Sequence, residues 1–268
     1  MASSWLPISI PRSGQTTHPA KPPTDEVRIV AYNIAKCFVQ RGGFRFRSQD
    51  GVNARLDRLA AVINAEDPHL VFLSEAMFEC GPCPVNQVTE LAERCNMHAW
   101  SFGENYNIGF PLFRIAGGNA ILATIPLEPV KNIDLPGRRP FWVTRNNRRS
   151  LWMEATIRGE TLQLAAMHND SFEPANNMRQ TQTLLDFLDN KPGILAGDFN
   201  AEPDWESMQA LQTHGFSGEF DSPPTFPSEG PERPIDFILA PPTWTLVEHR
   251  VIQNDASDHC AVFARFQP

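Results

Sequence analysis

The 268-residue sequence has no uninterrupted apolar run of the roughly 18 residues that a membrane-spanning helix requires, so no membrane span is expected. It is poor in cysteine, with 5 in the whole chain, an odd number that cannot form a disulfide scaffold. It carries no excess of positive charge. The formal net charge is -8, which argues against a broad basic face for polyanions, although a local basic rim or a bound cation can offset repulsion near a site. No Gly-x-Gly-x-x-Gly fingerprint follows the first strand-like segment, and no Gly-x-x-x-x-Gly-Lys-Ser/Thr loop occurs, so dinucleotide binding and P-loop nucleotide hydrolysis lack support. The Gly-x-Ser-x-Gly elbow of many serine hydrolases is also missing. Cys80-Gly81-Pro82-Cys83 has redox spacing, but no helix pattern begins at its first cysteine. A local disulfide or two free thiols fits it better. The N-terminus has no basic start followed by an apolar core. A cytoplasmic location is the default expectation, with secretion left open.

What is present is globular in composition: 41% hydrophobic, 20% charged, with 24 prolines and 16 glycines that imply many fitted loops. Residues 1–24 are rich in proline and lack periodicity, which predicts a flexible tail ahead of a domain over 25–268. Val27 to Tyr32 and His69 to Leu73 read as buried strands, and apolar residues at helical spacing predict helices near 53–66, 88–95 and 177–188, with a short one at 205–211. Residues 102–118 read as a loop and 119–125 as a strand. Residues 151–157 and 161–167 form an expected hairpin around Gly159. Ile194 to Ala196 is a further strand, 221–234 a proline-rich surface loop, and 235–239, 244–247 and 260–266 closing strands. Hairpins mixed with helix-linked strands favour mixed sheets over a purely parallel one.

Polar groups stand at the ends of these apolar runs. Gly197-Asp198-Phe199-Asn200 presents two short polar side chains after a buried strand, with Phe199 pointing the other way. A simple turn would also use these residue types. Asn33, Glu75, His168 and Asp258-His259 occupy comparable stations. Glu75 stands just past a short apolar run, after Ser74, where a lone carboxylate is costly and needs a cation, a proton or several donors. Glu75, Asp198 and Asp258, helped by the amide oxygens of Asn33 and Asn200, are hard ligands suited to Mg²⁺ or Mn²⁺. Loop capping is the alternative use of such acids. Asp236 could orient His259 or His168 by carboxylate-imidazole pairing, although either ring could equally be satisfied by loop backbone.

Tyr32-Asn33-Ile34, Ser74-Glu75, Gly118-Asn119-Ala120-Ile121-Leu122, Met167-His168-Asn169, Gly197-Asp198-Phe199-Asn200, Ile235-Asp236-Phe237 and Ser257-Asp258-His259 follow one another as do the motifs of the metal-dependent endonuclease/exonuclease/phosphatase superfamily. Arg179-Gln180 also resembles that family's pattern. The resemblance spans about 27–266. It implies an α/β four-layered sandwich with two central mixed β-sheets flanked by helices, and a deoxyribonuclease- or sphingomyelinase-like site at one edge. It further implies that Glu75, Asn33 and Asp258 are metal ligands, and that Asp198 and Asn200 orient or activate water. His259 paired with Asp236 would move a proton, and His168 would stabilise the transition state or assist the leaving group. One departure is Ala35, where some family nucleases place an aspartate, which weakens an abasic-site nuclease or two-metal assignment. The implied reaction is direct attack of water on a phosphoester. A nuclease-like phosphodiesterase is favoured, against a sphingomyelinase-like or inositol-phosphate enzyme or a non-catalytic binding member. Arg138, Arg139, Arg145, Arg148 and Arg149, with Asn169, are the candidate phosphate contacts, and Phe110, Leu112 and Phe113 could meet bases, a lipid surface, or simply the sheet edge. A monomer is expected.

Overall fold

The computed structural model describes residues 9–37, 48–110, 113–137 and 148–268. Its strands are β1 (Arg12–Gln15), β2 (Val27–Asn33), β3 (Leu70–Cys80), β4 (Ala99–Phe110), β5 (Phe113–Ala123), β6 (Glu128–Asp134), β7 (Arg149–Ile157), β8 (Glu160–His168), β9 (Gly193–Asp198), β10 (Asp236–Leu239), β11 (Thr245–Ile252) and β12 (Ala261–Gln267). Its helices are α1 (Gln49–Asn64), α2 (Gln87–Arg94), α3 (Pro174–Leu188) and α4 (Glu206–His214). Two mixed sheets result, one in the order β1-β4-β5-β3-β2-β12-β11 and the other β10-β9-β8-β7-β6.

The period-2 alternation of the central strands explains the layering. In β2, Ile29 and Ala31 point between the sheets, while Val30 and Tyr32 point out toward α1 and α2; in β3, Leu70 and Phe72 divide from Val71 and Leu73 in the same way. The second sheet repeats the scheme. Ile194 and Ala196 of β9 join the inter-sheet core, and Leu195 packs outward with Leu184 and Leu188 of α3 and Met208 and Leu211 of α4. Three apolar layers therefore separate helix, sheet, sheet and helix, the four-layered α/β sandwich expected from the sequence.

Two sequence expectations are corrected, and one strand had none. The described part of the expected tail contributes β1, paired antiparallel to β4, although its residues show no apolar pattern. Arg12 holds it there, donating to Glu79 and Glu104 and lying over the Phe78 ring. Within the stretch 102–118, residues 102–110 and 113–118 are no loop but lie in the paired strands β4 and β5. The buried Glu104 and Asn107 hide the alternation, and they are satisfied by Arg12, Arg114 and one another. Finally β6 escapes a pattern reading because it is an edge strand with charged, mostly exposed residues and a proline. All five cysteines are free thiols, including Cys80 and Cys83. No helix among the described residues is long and apolar enough to cross a membrane.

Candidate active site

The site lies where the strand ends of both sheets meet. His168, Asp198 and Asp236 are direct register neighbours across β8, β9 and β10, and Asn33 is paired with Ser74 across β2 and β3. Side chains lock the two sheets together here: Ser74 Oγ donates to Met167 O at 2.8 Å, and Asn119 Nδ2 donates to Arg149 O at 2.9 Å. The Asn119 station of the sequence is thus a cross-sheet tie. Gly197 (φ 135°) has no side-chain alternative, since a Cβ would stand 2.4 Å from Met167 O; its absence lets β9 close against β8 just before Asp198.

Several site residues sit on strained backbone. Glu75 (φ 58°) occurs at a break in the β3-β5 register between Leu73 and Ala76, a bulge that turns its carboxylate out of the sheet. Asn200 (φ 49°) turns back so that its backbone N donates to Asp198 Oδ1 at 3.0 Å, while its Nδ2 donates to Asn169 O at 3.1 Å. Left-handed conformations at non-glycine residues are costly and gather where a site over-determines them.

Asp198 is the hub. Its Oδ2 accepts from Asn33 Nδ2 at 3.0 Å and lies 3.5 Å from His168 Nε2 and 3.9 Å from His259 Nε2. Burial, then the charge of Asp236, pushes its carboxyl up to about 7. Asp236 Oδ2 accepts from Thr225 Oγ1 at 2.6 Å and from His259 Nδ1 at 2.9 Å, which fixes the ring with Nε2 facing Asp198. Burial alone would depress His259, but the Asp236 charge and hydrogen bond, with Asp198 and Asp258 adding to them, raise it to about 10. It is an imidazolium at neutral pH. Phe226 covers it, ring centroids 4.7 Å apart.

His168 is the reverse case. Burial and the adjacent guanidinium of Arg148, whose NH1 donates to His168 Nε2 at 2.7 Å, hold it well below its ordinary pKa. It is therefore neutral, and Arg148 supplies the permanent positive charge on that side. Glu75 Oε1 is 3.8 Å from His168 Nε2, and its other oxygen is engaged by Lys36 Nζ. Burial works to raise Glu75, but the charge and hydrogen bond of Lys36, with the Arg148 charge adding to them, outweigh it and bring it down to about 2.

The remaining sequence candidates divide. Asn33 Oδ1 accepts from Ala35 N at 3.1 Å, and Asp258 sits beside His259. Arg149 is buried and ion-paired with Asp134 at 2.7 Å, a contact between β7 and β6. Asn169 is fully buried, its Nδ2 donating to Thr181 Oγ1 at 3.4 Å. Arg138, Arg139 and Arg145 lie outside the described residues, as does Leu112. Sequence reading missed Lys36, Thr225, Phe226 and the pair Asp170 and Asn177. Asn177 Nδ2 donates to Asp170 O and Phe199 O, both at 2.8 Å, and so ties the loops after β8 and β9 to α3. Its place on the helix face toward Leu184 carried no signal beyond that of a core position.

Ligand atoms of Asp198, Asp236 and His259 lie within 4.8 Å of one another, a group that could hold a metal. Asp236 Oδ1 is buried with no hydrogen-bond partner among the described residues, and two buried carboxylates share one imidazolium, so the chemistry suits an added cation. The Nδ1 proton of His259, however, already occupies the Asp236 oxygen that faces it. The Glu75 carboxylate is the more open one, a quarter exposed.

A sandwich that delivers carboxylates, amides, a protonated imidazole and a buried guanidinium to one edge defines a metal-dependent phosphoesterase in general terms. The chain belongs to the Endonuclease/Exonuclease/phosphatase family, whose model matches residues 30–259. Among solved structures it resembles the endonuclease/exonuclease/phosphatase from Beutenbergia cavernae (20% identity, TM-score 0.68, covering 91% of this chain and 72% of that one). It also resembles a functionally unknown conserved protein from Enterococcus faecalis (19%, 0.66, covering 90% and 99%) and the mannosyl-6-phosphatase Bt3783 of Bacteroides thetaiotaomicron (15%, 0.64, covering 90% and 99%). At these identities the likeness is one of fold. No curated protein matches the sequence.

Proposed function

We propose that the chain is a divalent-metal-dependent phosphodiester hydrolase acting by direct attack of water on phosphorus, with nucleic acid as its first substrate class. The observation that carries this reading is the meeting of Asn33, Glu75, His168, Asp198 and His259 at one edge of the two sheets. Glu75, with Asn33 and Asp258, would hold Mg²⁺ or Mn²⁺, and such a cation supplies Lewis-acid stabilisation of phosphoryl charge. Asp198, raised to about 7 and oriented by Asn33 and Asn200, is poised to take a proton from the attacking water near neutral pH. His259, kept protonated by Asp236, donates from Nε2 to a phosphoryl oxygen. Arg148 offsets charge building on the phosphoryl and leaving oxygens, with neutral His168 fixing its guanidinium.

Nucleic acid is supported by the basic stretch. Arg148, within that stretch of the sequence, donates to His168 Nε2 in the site. A second reading, a phosphomonoesterase, is favoured by the concentration of positive charge on Lys36, Arg148 and His259, which suits a doubly charged terminal phosphate. The phosphatase named for the similar Bacteroides protein points the same way. The test is turnover of single- and double-stranded DNA, RNA, sphingomyelin, inositol phosphates and sugar phosphates with Mg²⁺ and with Mn²⁺. Nucleic acid cleavage that weakens steeply with salt is expected. Hydrolysis of lipid or monoesters alone would reject the nuclease reading, and no hydrolysis of any of them would favour a non-catalytic binding role.

A further inference from the structure

Among the described residues, Lys36 is a cation in contact with Glu75 that no sequence motif announced. It lies on a three-residue turn, Ala35–Cys37, in which every residue is left-handed: φ is 46° at Ala35, 59° at Lys36 and 55° at Cys37. None is glycine, so the turn is expensive and must be held by its surroundings. The restraints are visible. Asn33 Oδ1 accepts from Ala35 N at 3.1 Å, and Cys37 N donates to Ile34 O at 2.9 Å. Gln87, 1% exposed at the start of α2, donates from Nε2 to Lys36 O at 2.5 Å and accepts from Met77 N at 3.0 Å. Met77 is two residues beyond Glu75 on β3. One buried glutamine thus ties the turn bearing Lys36 to the bulged strand bearing Glu75, and both residues of the ion pair sit on left-handed backbone. An exposed surface pair would need no such clamp.

We propose that Lys36 is a built-in competitor cation: it occupies the Glu75 carboxylate of the resting site and must be displaced for a divalent metal to bind there. This rests on the reading of Glu75 as a metal ligand. The consequence is coupling. Metal alone binds weakly, because it must break the Lys36–Glu75 pair, and binds well only when a phosphoester brings oxygens both to the metal and to the displaced ammonium. A site organised in this way stays unloaded until substrate arrives, with a single cation at Glu75 and a lysine in place of further metal charge.

The test is Mn²⁺ binding by calorimetry to the substrate-free protein, which needs no turnover. Lys36→Met keeps an unbranched side chain one atom shorter and removes its charge. It should bind Mn²⁺ about tenfold tighter than wild type, since a unit charge in contact is removed from a partly shielded carboxylate. Lys36→Arg, which keeps the charge, should stay close to wild type, and it serves equally if the methionine variant folds poorly. Equal or weaker Mn²⁺ binding in Lys36→Met, or a tightening in Lys36→Arg as large as that expected of Lys36→Met, would overturn the proposal while leaving Glu75 as a metal ligand. Mn²⁺ bound equally by wild type, Lys36→Met and Glu75→Gln would remove the Glu75 reading and the proposal together.

Discussion

Replacing Asp236 by asparagine keeps the volume of a fully buried side chain and removes one charge. The carboxylate lies 2.9 Å from His259 Nδ1. At an effective dielectric of about 20, a unit pair in contact is worth on the order of 4 kcal/mol. One pKa unit corresponds to about 1.4 kcal/mol. Losing the charge should therefore lower His259 by about three units, from about 10 to near 7. At pH 8 most of the imidazole would then be neutral, and the proton it offers to a phosphoryl oxygen would be gone. Turnover at pH 8 should fall by about tenfold, because a group near 7 keeps its proton on only about a tenth of the molecules at that pH. At pH 6 the ring regains its proton, so the deficit should shrink there.

Stability supplies a readout independent of substrate. His259 is raised in the folded protein, so its contribution is complete below the unfolded value near 6.5 and is lost as pH climbs through about 10. The Tm gap between wild type and Asp236→Asn should accordingly be widest near pH 6 and close toward pH 10. Titration of the His259 ring by NMR measures the shift itself. An unchanged His259 titration, together with wild-type turnover at pH 8, would refute the reasoning.

Three further outcomes follow from the same geometry. Arg148→Met should let His168 titrate upward, because the guanidinium beside it is a principal cause of its depression after burial, and should lower kcat more than it alters KM; NMR of His168 and steady-state kinetics check both. Asn177→Ala strands the carbonyls of Asp170 and Phe199 and should cost roughly 1–3 kcal/mol per buried unsatisfied group, measurable by denaturant unfolding. Gly197→Ala must push a Cβ against Met167 O, so a loss of about 1–3 kcal/mol or more and a drop in turnover from a displaced Asp198 are expected.

The central strands were legible because burial on both faces leaves uninterrupted apolar runs, and a polar residue ending such a run stands out. That is how Asn33, Glu75, His168 and Asp198 could be found, and register then explains why three strand ends meet. Asp236 and His259 were legible as a pair of the right types, though only the fold brings them into contact. Pattern reading failed where stability comes from pairing instead of apolar alternation: β1 is held by Arg12, the β4-β5 hairpin by buried polar partners, and β6 by its single neighbour at an edge. Basic residues were legible as a cluster but not in their fates. Arg149 is consumed by Asp134, whereas Arg148 turns to His168. Lys36 and Thr225 act through a left-handed turn and a proline-rich loop, neither of which has a residue period to betray it.

Metal-dependent turnover in wild type against Glu75→Gln tests the central claim most directly. The carboxylate is a quarter exposed and lies outside the apolar layers, so the amide variant should fold as wild type does. With phosphoester substrate at saturation, activity should rise from background as Mg²⁺ or Mn²⁺ is titrated into wild type, vanish on chelation, and stay at background in Glu75→Gln at every metal concentration. Turnover that survives chelation, or a Glu75→Gln variant that titrates with metal as wild type does, would contradict it.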